Sequence, residues 1–270
     1  MPNYEPAHSY ETVTLLRDGG AARIELNRPE TMNAWNRQFG EDLLDAIRTV
    51  SGDEDVRAVE IGGAGRGFSS GADLKAGFTP GPDGYPDVET VLHELYHPII
   101  LGLREMPKPV LAAVNGPAVG IGCSLALASD LIVAARSAYF LLAFVNIGLV
   151  PDGGSSVFVP ARAGFARAME MAMLGEKIGA EQALEWGLIN RVFDDETFTA
   201  DVGALVDRLA AGPTRSYAGT KRQLNARVYT GIEDQLNLEA SIQQEQARTA
   251  DLMEGVAAFI ERRETNFQGK

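Results

Sequence analysis

Val56-Arg57-Ala58-Val59-Glu60-Ile61-Gly62-Gly63-Ala64-Gly65-Arg66-Gly67-Phe68-Ser69-Ser70-Gly71-Ala72-Asp73-Leu74-Lys75 is the stretch whose reading decides the fold. Six strand-forming residues lead into glycines that let the backbone turn tightly, and a helix is predicted to begin near Ala72. The same order recurs after the apolar run Pro109 to Val114, in Val114-Asn115-Gly116-Pro117-Ala118-Val119-Gly120-Ile121-Gly122-Cys123-Ser124-Leu125-Ala126. The first N–H groups of a helix have no partner within it, so two such starts could aim donors at one developing negative charge. Neither stretch has the Gly-Lys-Ser/Thr of a phosphate loop or the G-x-G-x-x-G spacing of a dinucleotide site. Spacing alone favours the plainer reading, a strand-to-helix connection.

Outward from these turns, strand and helix patterns alternate from residue 56 to 142, with further strands at Leu131 to Ala135 and Ala138 to Leu142. Such alternation needs crossover connections and predicts an α/β core. Upstream, Thr12 to Leu16 and Ala22 to Leu26 read as a hairpin across Asp18-Gly19-Gly20. Trp35, Phe39, Leu43, Ile47 and Val50 then recur at helical spacing, predicting a helix over 33–50. Val88 to Leu103 carries a second apolar helical face, with a kink expected at Pro98. Residues 77–86, rich in glycine and proline, read as a mobile loop. Beyond about residue 195 strand signals stop, and Pro213 suits the first turn of a helix. The Gln- and Glu-rich segment Ile232 to Ala250 has apolar residues for one face only. The expected division is a core over 1–195 and a helical assembly region over 196–270.

Composition closes several doors. The 270 residues are 45% hydrophobic and 23% charged, with a net charge of −13, which fits an ordinary globular chain. Cys123 is the sole cysteine, so a disulfide framework and a multi-cysteine zinc site are excluded. Three scattered histidines give no ligand spacing, and no metal is expected. His8 is expected in a mobile terminus and His93 on a solvated helix turn. Net repulsion argues against nucleic acid as a partner. There is no apolar run of about 20 residues, so no membrane partner is expected. The first residues lack the basic and apolar regions of a secretory signal, and a cytoplasmic location is expected.

Asn27-Arg28-Pro29 with Asn33-Ala34, Gly67-Phe68-Ser69-Ser70-Gly71-Ala72-Asp73-Leu74-Lys75, and Lys108-Pro109-Val110 with Asn115-Gly116-Pro117-Ala118-Val119-Gly120 closely resemble the crotonase superfamily, the enoyl-CoA hydratase/isomerase family. The resemblance continues in order through Gly148-Leu149-Val150-Pro151-Asp152-Gly153-Gly154, Ala180 to Asn190, Glu254 to Phe259 and Arg262-Arg263. It implies a ClpP/crotonase-like spiral of ββα units with a helical C-terminal region, assembled as a homotrimer or a dimer of trimers. It implies an acyl-CoA thioester as substrate, so CoA arrives with the substrate and no separate cofactor is expected. It also implies a place in fatty acid metabolism. By motif position, the backbone N–H groups of Ala72 and Ile121 would hold the thioester enolate. Ser70, Ala72, Asp73, Leu74 and Lys75 would lie along CoA. Arg28, Lys75, Arg262 and Arg263 are the basic residues available to its phosphates. Ile121 stands where the family often has glycine.

The family's hydratases position water with two glutamates, whose places fall here on Ser124 and Phe144. Neither can act as an acid or base, which argues against hydration. Asp152 remains, at a position where the single-carboxylate enoyl-CoA isomerases look similar. One carboxylate suffices to move a proton between two carbons, provided an apolar surround, for which Leu142, Phe144, Ile147 and Leu149 are available, raises its pKa. Read locally, Asp152 is also a good helix N-cap. Aroyl-CoA dehalogenases are similar in having an Asp here and a helical His near His97, although Phe144 replaces their Trp. A non-catalytic acyl-CoA-binding protein would also lack the glutamates. The expectation is an enoyl-CoA isomerase, with Asp152, Ala72 and Ile121 as its catalytic groups.

Overall fold

In a computed structural model describing residues 3–270, the chain first lays down three antiparallel strands, β1 (Glu5–Ser9), β2 (Val13–Asp18) and β3 (Ala21–Leu26). The β2–β3 pair is the expected hairpin. Val13, Leu15, Ile24 and Leu26 alternate into the core, as half-buried strands require. Strand β1 was not expected. All its side chains are exposed, so it carries no alternation to read. His8 therefore sits on an edge strand opposite Leu15, with its ring against Tyr10.

Helix α1 (Arg37–Gly52) starts later than the spacing suggested. Met32 and Asn33 have positive φ, which no helix accommodates, and the Asn36 side chain accepts the Phe39 N–H as the true cap. Phe39, Leu43, Ile47 and Val50 form its buried face. Strands β4 (Ala58–Gly63) and β5 (Val110–Val114) follow in parallel, β4 beside β3 and β5 beside β4, every residue buried. Between them, α2 (Val88–Val91) passes through a π-helical segment, Leu92–Tyr96, into α3 (His97–Glu105). Pro98 cannot donate to the preceding turn, and the helix widens there rather than breaking, with the His97 N–H reaching back to Leu92 O. Residues 79–87 fold into a tight turn: Gly81 N–H donates to Tyr85 O, and Asp83 pairs with Arg248.

A short strand, β6 (Ala118–Val119), leads into α4 (Ile121–Leu127), β7 (Leu131–Ala135) and β8 (Tyr139–Leu141). After a 3-10 turn, Ala143–Ile147, come α5 (Ser155–Ala163), α6 (Phe165–Leu174), β9 (Ile178–Gly179), α7 (Ala180–Glu185) and β10 (Arg191–Phe193). Seven strands form one sheet in the order β1-β2-β3-β4-β5-β7-β10, parallel from β3 onward. Strands β6, β8 and β9 form a second, smaller sheet.

The chain ends in α8 (Phe198–Ala211), α9 (Thr214–Val228), α10 (Ile232–Gln246) and α11 (Ala250–Glu261). Helix α8 packs on β3, β4 and β7, α10 on α2 and α5, and α11 on the 143–147 turn. Among the described residues no helix is long and apolar enough to cross a membrane.

Candidate active site

The two glycine turns meet, though not as two helix starts. Residues 71–75 are extended or turned, and no helix begins near Ala72. Ala72 instead forms an isolated parallel bridge with Trp35: Trp35 N–H donates to Gly71 O at 2.8 Å and Asp73 N–H donates to Trp35 O at 2.9 Å. Backbone groups alternate in an extended chain, so the Ala72 N–H points away from Trp35. Ala72 is exposed. A partner 37 positions upstream thus decides the conformation, which the local glycine spacing could not reveal. A second bridge joins Ser69 to Ala118, with Val119 N–H donating to Ser69 O at 2.9 Å.

Gly71 lies where the turns touch. Its φ is +85°, and a Cβ there would stand 2.8 Å from Val119 O and 3.7 Å from Gly120 Cα. Ile121 follows as the first residue of α4, where the N–H has no partner within the helix. The N–H groups of Ala72 and Ile121 therefore each follow one of two residues in contact.

Beneath the first turn, the buried Asn33 side chain donates to Ala64 O and Gly67 O, both at 3.0 Å. Ser70 donates through its hydroxyl to Thr31 O and through its N–H to Met32 O. Arg28 pairs with Asp73 at 3.1 Å and donates to Ala34 O at 2.6 Å, so two expected CoA-contacting residues hold each other. Leu74 is half-buried and Lys75 exposed. Arg263 pairs with Glu254 and Glu261, while Arg262 is exposed at the end of α11.

Asp152 lies behind the second turn. A Cβ on Gly153 would fall 2.5 Å from Ile121 Cδ1 and 2.9 Å from Ser124 Cβ, so the 152–154 turn packs directly on α4. Ser124, fully buried, donates its hydroxyl to Asp152 O at 2.8 Å. Asp152 itself is 6% exposed. Its Oδ2 accepts from Gln243 Nε2 at 2.7 Å, and its Oδ1 is buried without a partner. Burial pushes this carboxyl up to about 8; the Gln243 bond opposes the shift and the Glu239 charge adds to it. The Tyr96 phenol, raised by burial and by Asp152, remains protonated.

The Asp152 side chain does not cap a helix. Gly154, in a left-handed conformation, precedes α5, and the first turn is capped from α10. Glu239 accepts the Gly154 N–H at 2.8 Å, the Ser156 N–H at 3.1 Å and the Ser156 hydroxyl. Burial raises Glu239 to about 6. Gln243 and Glu239 were invisible to motif reading, since they lie about 90 positions from the turn they serve. The available signal was a one-faced helix with Glu and Gln four residues apart on the face that packs.

His97 is 5% exposed, its Nε2 has no partner, and burial lowers its pKa to about 4. It stacks edge-on with His93, and no hydrogen bond joins it to Asp152. Burial pushes the Cys123 thiol up to about 12, so it is no nucleophile at neutral pH. Two surface clefts, of about 690 and 950 Å³, flank α9; one includes Arg57 and Lys108, the other Arg104 and Tyr229, and neither includes Asp152, Ala72 or Ile121.

The enoyl-CoA hydratase/isomerase family model matches residues 17–270. A probable enoyl-CoA hydratase of Rhodobacter capsulatus is 43% identical over 262 residues, which cover 97% of this chain and 100% of that one. The 1,2-epoxyphenylacetyl-CoA isomerase of Escherichia coli is 40% identical over 251 residues, covering 93% and 96%. A crystal structure of an enoyl-CoA hydratase from Mycobacterium avium subsp. paratuberculosis matches with a TM-score of 0.88 at 36% identity, covering 96% of this chain and 100% of that one. Similarity of this size over almost the whole chain, on a shared fold, is what common descent leaves: the chain belongs to the enoyl-CoA hydratase/isomerase family, the crotonase superfamily of acyl-CoA enzymes.

Proposed function

We propose that the enzyme is an enoyl-CoA isomerase that moves a carbon–carbon double bond by proton transfer. The observation that carries this reading is the buried Asp152 carboxyl, raised to about 8 on a turn packed against Ile121 and Ser124, with a serine and a phenylalanine, Ser124 and Phe144, at the places where motif position would put the hydratase glutamates. In the proposed cycle the Asp152 carboxylate removes a proton from C2 of a 3-enoyl thioester. The enolate oxygen accepts from the N–H groups of Ala72 and Ile121, each donor worth about 3–4 kcal/mol to such a transition state. The Asp152 carboxylic acid then returns its proton to C4, giving the 2-enoyl product and restoring the carboxylate. No separate cofactor enters these steps. Ser70 to Lys75 would run beside CoA, with Lys75 and Arg262 exposed toward its phosphates. Exposed Met253, Phe259 and Ile260 on α11 suit burial in a homotrimer or a dimer of trimers.

The 40% identity to a protein named as an isomerase supports this reading, and the 43% identity to a probable hydratase makes hydration its rival. Both 3-enoyl-CoA and 2-enoyl-CoA should be offered to the wild type and to Asp152→Asn. The expected result is isomerisation by the wild type, slow or absent hydration, and a loss of about 10²–10⁴-fold in the variant. Rapid hydration of the 2-enoyl substrate, or full isomerase activity in the variant, overturns the proposal.

A further inference from the structure

We infer that Gln243, from the C-terminal helix α10, is a positioning residue that selects Oδ1 of Asp152 as the oxygen that carries the moving proton. This rests on the isomerase reading of Asp152. The Gln243 amide has no choice of orientation: its Oε1 accepts the Val150 N–H at 3.1 Å, so its Nε2 must donate to Asp152 Oδ2, at 2.7 Å. Gln243 is 1% exposed and Asp152 6%. An amide N–H can donate and cannot accept, and in a protonated carboxyl the carbonyl oxygen is a much stronger acceptor than the hydroxyl oxygen, so the short Gln243 bond favours Oδ2 as the carbonyl. The proton that Asp152 gains therefore goes to Oδ1, the buried oxygen that no protein group engages. Oδ1 accepts no hydrogen bond among the described residues, so no bond within the protein has to break before it passes its proton on.

The same bond holds the turn. Gln243 clips Val150 to Asp152 across Pro151, and one helical turn earlier Glu239 clips Gly154 to Ser156. Helix α10 therefore sets the direction of the carboxyl from both sides. The titratable groups that face Asp152 are Glu239 from α10 and Tyr96 from the π-helical segment. Tyr96 stays neutral through the working range, so the Gln243 donor and the Glu239 charge are the two levers on Asp152.

The test is kcat against pH for 3-enoyl-CoA isomerisation by the wild type, Gln243→Met and Asp152→Asn. Methionine keeps the length of the side chain and removes the donor, which disfavours the carboxylate. The wild-type rate should climb through pH about 8. In Gln243→Met the climb should move up by about one pH unit, an approximately tenfold loss at pH 7, with KM little changed. Coincident profiles with an inactive Asp152→Asn overturn the role of Gln243 and leave the isomerase reading standing. An active Asp152→Asn overturns the isomerase reading itself. Infrared difference spectra of ¹³C-aspartate-labelled wild type, with Asp152→Asn to identify the band, need no second folded variant. A carbonyl stretch lowered by hydrogen bonding in protonated Asp152 supports the assignment, and a free carbonyl frequency overturns it.

Discussion

Asp152 costs the folded chain stability at the pH where it is proposed to work. Its folded pKa of about 8 lies above the ordinary value of 3.8, so between those limits the unfolded chain has released a proton that the folded chain retains. Stability then falls as pH rises, by about 1.4 kcal/mol per pH unit at most, and levels off above the folded pKa. Asparagine fills the same space without a charge and should remove that slope. In urea unfolding at pH 5, 6, 7 and 8, the advantage of Asp152→Asn over the wild type should widen step by step; a constant gap would contradict the raised pKa. The motif drew attention to Asp152, which the fold buries on a turn packed against Ile121 and Ser124. What holds Asp152 was not legible there. The capping role that local sequence offers to Asp152 belongs to Glu239, because an N-terminus buried under another helix takes its cap from that helix.

At the scale of elements, α10 is the unexpected participant. Its apolar residues Leu236 and Ala240 bury one stripe, as the spacing in the segment suggested, but Glu239, Gln243 and Gln244 enter the same interface. Gln244 accepts the Val88 and Glu89 N–H groups, so α10 caps α2 as well as α5. Glu239→Ala would leave buried donors at Gly154 and Ser156 unsatisfied, costing about 1–3 kcal/mol. Glu239→Gln keeps one acceptor and should recover part of that loss. Both changes remove a negative charge that raises Asp152, so the climb of kcat should move to lower pH, opposite to Gln243→Met. Denaturant midpoints and kcat–pH profiles of the two variants check both parts; an unmoved profile would separate Glu239 from the electrostatics of Asp152. Elsewhere, α1, the β2–β3 hairpin and β4, β5 and β7 follow from periodicity, whose period matches the burial of each. The extended backbone at Ala72 does not, since its bridge to Trp35 is set by tertiary pairing.

Over the whole molecule, the α/β alternation was readable because the central parallel strands β4, β5 and β7 are buried almost throughout and are therefore almost wholly apolar. The way the last four helices close on the rest was not readable, since a one-faced helix fits its own core and a neighbouring subunit equally well. Here α8 lies on β3, β4 and β7, and α10 ties α2 to α5 through buried polar bonds. Contacts of this kind predict that α8 and α10 open as one unit with the sheet and the helices they hold. Amides in such a unit exchange with solvent only when the unit opens, whereas an exposed edge frays locally. Hydrogen exchange followed by mass spectrometry should show β4, β5, β7 and residues 236–244 of α10 protected together, to the highest level in the chain. Strand β1, on the edge with every side chain exposed, should exchange well before them. If α10 exchanged as early as β1, its clamp on the 150–156 turn would be open too often to hold the Asp152 carboxyl in one direction.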